Sequence, residues 1–449
     1  MVSKIGIFPQ PKSEQFEAVE LVNQIYSAAR NEPNYWDFRG RARRDYCHGW
    51  MSYPAMMVPE MQGALIDCLL KSSPNISRIL DPFVGSGTVL GEAMLRGKSF
   101  VGSDINPLAI LCCKAKIDFF EKRLVDNAIL RVAGRLSDPR YDYKLVDFPG
   151  DTKWFSQTAL KSLSKISTAI RAESESWIRR FLWVSLSDLV RLASNTRRST
   201  YKLHVKADRQ EIGEVGITNL FLSKCKTNAD RKEVLWRQLS DDGLVSQGAL
   251  NQRYQLSLQD SRALEVDEKA DLVVTSPPYG DNKTTVTYGQ YSFLPLQFID
   301  LDDIEANFDR SLASRQSSID TASLGGSLSD MFEKRDFIAS KSWAFRKSLS
   351  QVSAQSSSGE KRLVSFFYDL YQSAQQVLTA VSLDGFLMLT LGNRKIAGIR
   401  VPLDRIVCDF LTLNGATEIV TLPRSIPNKR MPGSMSEETV LVMRKHQSD

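Results

Sequence analysis

Residues 77–105 read SRILDPFVGSGTVLGEAMLRGKSFVGSDI, and this stretch decides the fold. Ser77 to Phe83 is a short apolar run of strand length, and it enters a turn, Val84-Gly85-Ser86-Gly87-Thr88, that carries two glycines. Leu90 to Gly97 has helical character, and Ser99 to Ile105 is a second strand with Asp104 near its end. Glycines in such a turn let backbone approach a ligand closely, and an acid about twenty residues further on can accept hydrogen bonds from ribose hydroxyls. The pattern predicts an α/β fold of the nucleoside-binding kind. It lacks both the full G-x-G-x-x-G of dinucleotide proteins and the lysine of a phosphate-cradling loop.

The second informative stretch is ADLVVTSPPYGD, residues 270–281. Asp271 to Thr275 reads as a buried strand that stops at Ser276-Pro277-Pro278-Tyr279, because neither proline can donate to a sheet ladder. The result is a stiff corner at a strand's C-terminal edge, where open α/β sheets hold ligands. It offers a hydroxyl, carbonyls fixed by proline geometry and an aromatic ring, groups suited to gripping the exocyclic amine of a nucleobase. Taken alone, the same four residues also read as an ordinary tight turn.

Together, DPFVGSGT, GSDINP and TSPPY resemble the S-adenosylmethionine-dependent amino-methyltransferases of DNA, which modify N4 of cytosine or N6 of adenine. Residues 48–59, HGWMSYPAMMVP, are similar to the family's segment ahead of the first strand, with Met56 where lysine is often found. Leu256 to Leu264 resembles the strand whose terminal acid, here Asp260, lies near the cofactor adenine. Gly385 to Asn393 resembles the fifth strand, and Ala416 to Pro423 and Glu438 to Arg444 resemble the closing pair. The loop between that pair, with Lys429 and Arg430, is similar to a basic loop of N4-cytosine enzymes.

The resemblance implies a class I methyltransferase fold (Rossmann-like): seven mostly parallel strands with a reversed last strand, helices on both faces and a helical insertion. It implies S-adenosyl-L-methionine held by Tyr53, Pro54, Asp81, Pro82, Phe83, Gly85, Ser86, Gly87, Thr88, Asp104, Ile105 and Asp260. Ser276, Pro277, Pro278 and Tyr279 would form the catalytic loop on a base flipped from double-stranded DNA. Ser276 begins that loop where adenine enzymes more often have Asp or Asn, which tilts the expected target toward cytosine N4. The resemblance fits a modification enzyme partnered by a cognate restriction nuclease or other defence proteins, and equally a stand-alone methylase. An RNA base methyltransferase is a rival reading, although RNA relatives generally carry an acid before the paired prolines.

Composition agrees without deciding. A chain of 449 residues, 42% hydrophobic and 24% charged, is ordinary for a globular protein with a sizeable core. A net charge of +6 is too weak to argue for nucleic acid by itself. No apolar run reaches membrane-span length, and the six cysteines form no C-x-x-C pair. With three histidines, no metal site is expected, and a reduced cytoplasmic setting is the simple expectation.

Two regions interrupt the pattern and divide the chain into an N-terminal cofactor part (1–121), a mainly helical insertion (122–251), a catalytic part (252–297), a second insertion (298–359) and a C-terminal part (360–449). In the first insertion, Leu160, Leu163, Ile166 and Ile170 recur at helical spacing, as do Phe181, Leu182, Leu186 and Leu189. Trp154, Trp177 and Trp183 read as core anchors rather than base-stacking rings. Arg197, Arg198 and Lys202, mixed with hydroxyls and Tyr201, suit phosphate contacts, and equally a solvated basic loop. The first insertion is the longer and more basic, and so the preferred target-recognition region. In the second, Ser311 to Ser329 reads as a mobile loop, with helix resuming near Met331.

Overall fold

The computed structural model describes residues 12–30, 32, 34–40, 45–197, 199–206, 211–426 and 436–446. Its centre is a seven-stranded sheet: β1 (Arg78–Asp81), β2 (Ser99–Asp104), β3 (Tyr254–Leu258), β4 (Ala270–Thr275), β5 (Val381–Leu391), β6 (Ala416–Ser425) and β7 (Glu437–Lys445). The spatial order is β3-β2-β1-β4-β5-β7-β6. The pairs β3–β2, β2–β1, β1–β4 and β4–β5 are parallel, while β7 runs antiparallel to both β5 and β6. This is the doubly wound order with a reversed seventh strand slotted between the fifth and sixth. It is the class I methyltransferase architecture that the sequence implied.

The strands read as continuous apolar runs because both faces of the sheet are covered. Alternation along β4 sorts Leu272 and Val274 to one face and Val273 to the other. On the first face Ile79, Phe100, Leu272, Val274, Met388 and Val442 share a core with the insertion helices Gln157–Arg171, Ser176–Ala193 and Glu214–Asp241. Trp154 and Trp183 are wholly buried in that core, and Trp177 packs edge-on against Phe119. Lys232 is buried there as well, its ammonium donating to the carbonyls of Ala115 and Asp118 and lying 4.3 Å over the Trp236 ring. The 122–251 helices therefore do not carry a separate core of their own.

The opposite face, with Leu80, Val101, Val273, Leu387 and Leu441, packs on helices Trp343–Gln355, Ser357–Ala380 and Leu403–Leu413. Ser311 to Ser329 is not the open loop its composition suggests. It contains the helix Ser318–Ala322, with Ile319, Asp320 and Leu324 buried. The Asp320 carboxylate accepts the Gly289 N–H at 2.8 Å, and the Asp369 carboxylate accepts the Gly325 N–H at 2.8 Å. These side chain-to-backbone bonds fix a segment too short to show a helical period.

Candidate active site

The strand order reverses between β1 and β4, and a cleft opens beyond the C-terminal ends of these two strands, at the switch point where doubly wound sheets bind ligands. Counting the space open to solvent, it measures about 830 Å³. One wall comes from the turn after β1. Gly85 and Gly87 sit at φ +51° and +76°, a left-handed backbone that favours glycine. Asp104, at the end of β2, pins the turn: one carboxylate oxygen accepts the Gly85 N–H at 2.9 Å and the other accepts the Asn106 N–H at 2.8 Å. Burial raises the Asp104 carboxyl to about 6, against the pull of those N–H groups.

The segment ahead of β1 closes this wall. Asn106 caps the helix Pro107–Ile117 and donates from its amide to the Tyr53 hydroxyl at 2.9 Å and to Ser292 at 2.8 Å. Tyr53 in turn stacks on Tyr288, with centroids 5.8 Å apart. On the far side, Asp260 caps the short turn Ser261–Ala263 and is bonded by the Arg262 guanidinium.

The catalytic-loop candidates enter from β4. Ser276 and Pro278 line the same cleft as Tyr53, Pro54, Pro82, Phe83, Gly85, Ser86, Thr88, Asp104, Ile105 and Asp260. The Ser276 hydroxyl lies 3.1 Å from the Thr390 carbonyl and 3.2 Å from the Tyr279 oxygen. Tyr279 itself borders a smaller neighbouring cavity with Arg362, Phe366 and Arg394, and burial raises its phenol well above the ordinary range.

Several expected ligand residues face elsewhere. Pro277 is buried outside the cleft wall, and the position a Gly87 side chain would take points at Cys113. Asp81 does not reach the cleft at all: it is fully buried under the turn, accepting the Thr275 hydroxyl at 2.6 Å and the Phe83 N–H at 3.1 Å. It braces β1 against β4 through one carboxylate oxygen, while the other has no hydrogen-bond partner among the described residues.

Burial raises the Asp81 carboxyl from its ordinary 3.8 to about 7. Across that interval the folded protein holds a proton that the unfolded chain has released, so stability falls as pH rises. Asp81→Asn is expected to flatten this fall in urea midpoints measured against pH, leaving the part below about 6 that belongs to Asp104. An unaltered slope in the variant would show that Asp81 is not the buried proton holder.

Asn106, Asn282, Tyr288, Ile319, Ser323 and Leu324, none of them among the expected site residues, also line the cleft. For Asn106 and Asn282 a signal existed, since they lie within GSDINP and directly after PPYGD. The donor set suits S-adenosylmethionine. Phe83, Ile105 and Leu324 supply apolar walls, Asp104 and Asp260 supply carboxylates, and the buried Asn282 carbonyl oxygen has no hydrogen-bond partner among the described residues and can accept one from a ligand. Of the DNA-contact candidates, Arg197 is exposed and Lys202 half-buried on a hairpin closed by the Thr196–Val205 bridge. That hairpin is tied to the cleft side by the Leu203 N–H, which donates to Gln290. Arg198, Lys429 and Arg430 lie outside the described residues.

The family model described as D12 class N6 adenine-specific DNA methyltransferase matches residues 63–318, more than half of the chain. The chain belongs to that family. It is thus a DNA methyltransferase that uses S-adenosylmethionine. It is 29% identical over 428 residues to the Type II methyltransferase M.MvaI of Kocuria varians, covering 93% of this chain and 92% of that one. A 99-residue stretch is 27% identical to the Type II methyltransferase M.MjaII of Methanocaldococcus jannaschii, covering 22% of this chain and 18% of the relative. The solved rRNA methyltransferase aviRa of Streptomyces viridochromogenes superposes with a TM-score of 0.30 at 12% identity, over 87% of this chain and 86% of that one. The fold assignment stands on the strand order and not on that superposition.

Proposed function

We propose that this methyltransferase acts on an exocyclic amine of a base flipped out of double-stranded DNA, with cytosine N4 as the target. The observation that carries this reading is the single cleft in which Ser276 and Pro278 share walls with Gly85, Ser86 and Asp104. S-adenosylmethionine supplies a methyl already activated on a sulfonium, so the protein's task is to present a nucleophile in line. The amine is a poor nucleophile because its lone pair is delocalised into the ring. The Ser276 hydroxyl, in the cleft wall, accepts an N–H bond of the amine and favours a pyramidal nitrogen with a localised pair. The Tyr279 ring stacks on the base, and Arg197 and Lys202 hold backbone phosphates.

The cytosine assignment rests on Ser276 standing where adenine enzymes of this family more often place Asp or Asn. A second reading, adenine N6, is favoured by the description of the family itself. The Type II designation of the full-length relative supports a place beside a restriction nuclease. Incubation with labelled cofactor and either DNA or RNA, then nucleoside mass analysis, is expected to yield N4-methylcytosine from DNA. N6-methyladenine would move the assignment to the second reading, and label in RNA alone would overturn both.

A further inference from the structure

The catalytic loop does not end at the cleft. The Ser276 hydroxyl donates toward the Tyr279 oxygen at 3.2 Å, with the Thr390 carbonyl at 3.1 Å as its other acceptor. The Tyr279 hydroxyl donates to Glu438 Oε1 at 3.1 Å. Arg424 binds the other Glu438 oxygen at 2.6 Å and is itself anchored by the carbonyls of Trp36 and Asp37. These contacts join the loop after β4 to residues of β5, β6 and β7 and of the turn Tyr35–Asp37. They form a file of single-proton donors that runs from the cleft to a carboxylate whose side chain is 15% exposed.

We propose that Glu438 is the terminal acceptor of the proton released from the methylated amine, reached from Ser276 through the Tyr279 hydroxyl. The inference rests on the reading that Ser276 faces the amine. In the transfer the nitrogen lone pair forms the C–N bond, and the S–C bonding pair stays on sulfur as a thioether. The nitrogen then carries a positive charge and one proton too many. That proton passes to Ser276 Oγ as the serine proton passes to the Tyr279 oxygen and the tyrosine proton passes to Glu438. Release of the proton from Glu438 to solvent and rotation of the two hydroxyls restore the starting state. No oxidant or further reactant is needed.

A protonated exocyclic amine is a far stronger acid than a carboxylic acid, so a carboxylate held in an ion pair is basic enough to take its proton. The Arg424 pairing also fixes Glu438 with one oxygen aimed at Tyr279. If anchoring Tyr279 were the whole purpose, a neutral acceptor would serve without the desolvation of a buried ion pair. Among the described residues, the charged groups around Glu438 are Arg424 on β6, Asp37 below it, Asp404 on the helix Leu403–Leu413, which accepts the Thr439 hydroxyl, and the exposed pair Glu437–Arg400.

The test compares Glu438→Gln, Tyr279→Phe and the double variant with Ser276→Ala, in single turnovers at saturating cofactor and DNA. Glu438→Gln and Tyr279→Phe are each expected to slow transfer about 10²-fold, in the usual range for a general base, with no further loss in the double variant. Infrared difference spectra during a turnover are expected to show a protonated carboxyl band in the wild type that both single variants lack. If Glu438→Gln fails to fold, Tyr279→Phe, which keeps the ring, decides by the same rate and infrared band. Full-rate transfer by Glu438→Gln or Tyr279→Phe while Ser276→Ala is inactive overturns the relay alone. A fully active Ser276→Ala overturns the reading on which it rests.

Discussion

Ser276→Ala is expected to lower the methyl-transfer rate about 10²–10³-fold, the usual cost of removing one oriented electrostatic partner from a developing charge. The hydroxyl sits in the cleft wall opposite the glycine turn and is held between the Thr390 carbonyl and the Tyr279 oxygen. Its loss removes an acceptor for the amine N–H without touching Asp104, Tyr53 or the turn, so calorimetric affinity for the cofactor should stay near wild type. Tyr279→Ala should also be severely impaired, for a different reason. Base-on-ring stacking is worth about 1–3 kcal/mol, which appears as weaker productive binding of DNA. The Tyr279 ring also packs against the second-face core, so its removal should lower the melting temperature as well. Rates from single turnovers, set beside cofactor affinity and melting temperature, separate these effects. Two fully active variants would mean that the proline corner is not where the base is held.

The parts of the fold that were legible in the sequence are those fixed by local chemistry. Glycines at positive φ marked the turn after β1, and paired prolines marked the end of β4. Helical spacing marked Gln157–Arg171 and Ser176–Ala193, whose leucines and isoleucines do face the core. What stayed hidden is held by partners distant in the chain. Tyr53 meets Asn106 and Tyr288 only because the cap segment folds over the switch point. Ser318–Ala322 is a five-residue helix, shorter than two turns, so no periodicity could announce it, yet it brings Ile319 to the cleft wall. Asp81 is a related case. An acid at the end of the first strand looks the same in sequence whether it points up at a ligand or down at Thr275, and only the β1–β4 packing decides. Glu438 likewise read only as the first residue of one of the closing strands, because its link to Tyr279 spans 159 residues.

Asp104→Ala should be the most damaging change to cofactor binding. The Asp104 carboxylate does two tasks at once: it lines the cleft, and it accepts the backbone N–H groups of Gly85 and Asn106. Alanine leaves both donors without their partner, at roughly 1–3 kcal/mol for each buried group left unsatisfied. A fall in folding stability of about 2–6 kcal/mol is therefore expected, because the Gly85 turn loses its pin. Cofactor affinity should drop at least about 10²-fold, since hydrogen bonds to a charged acceptor are worth about 1.5–3 kcal/mol each and the turn that Asp104 pins is loosened too. Asp104→Asn is the informative partner. It keeps one acceptor but aims an amide N–H at a backbone donor, so it should be less destabilised than the alanine variant and still bind poorly. Acid pH offers an independent check, because burial raises this carboxyl to about 6. Below that value the wild-type group is protonated and loses acceptor strength, so affinity should weaken there, while neither variant should show the transition. Asp81→Asn, altered beneath the same turn but outside the cleft, should bind the cofactor nearly as well as wild type at neutral pH. If Asp104→Ala binds normally, the ribose-side contact lies elsewhere in the cleft, with the Asn282 oxygen and Asp260 as the next groups to alter.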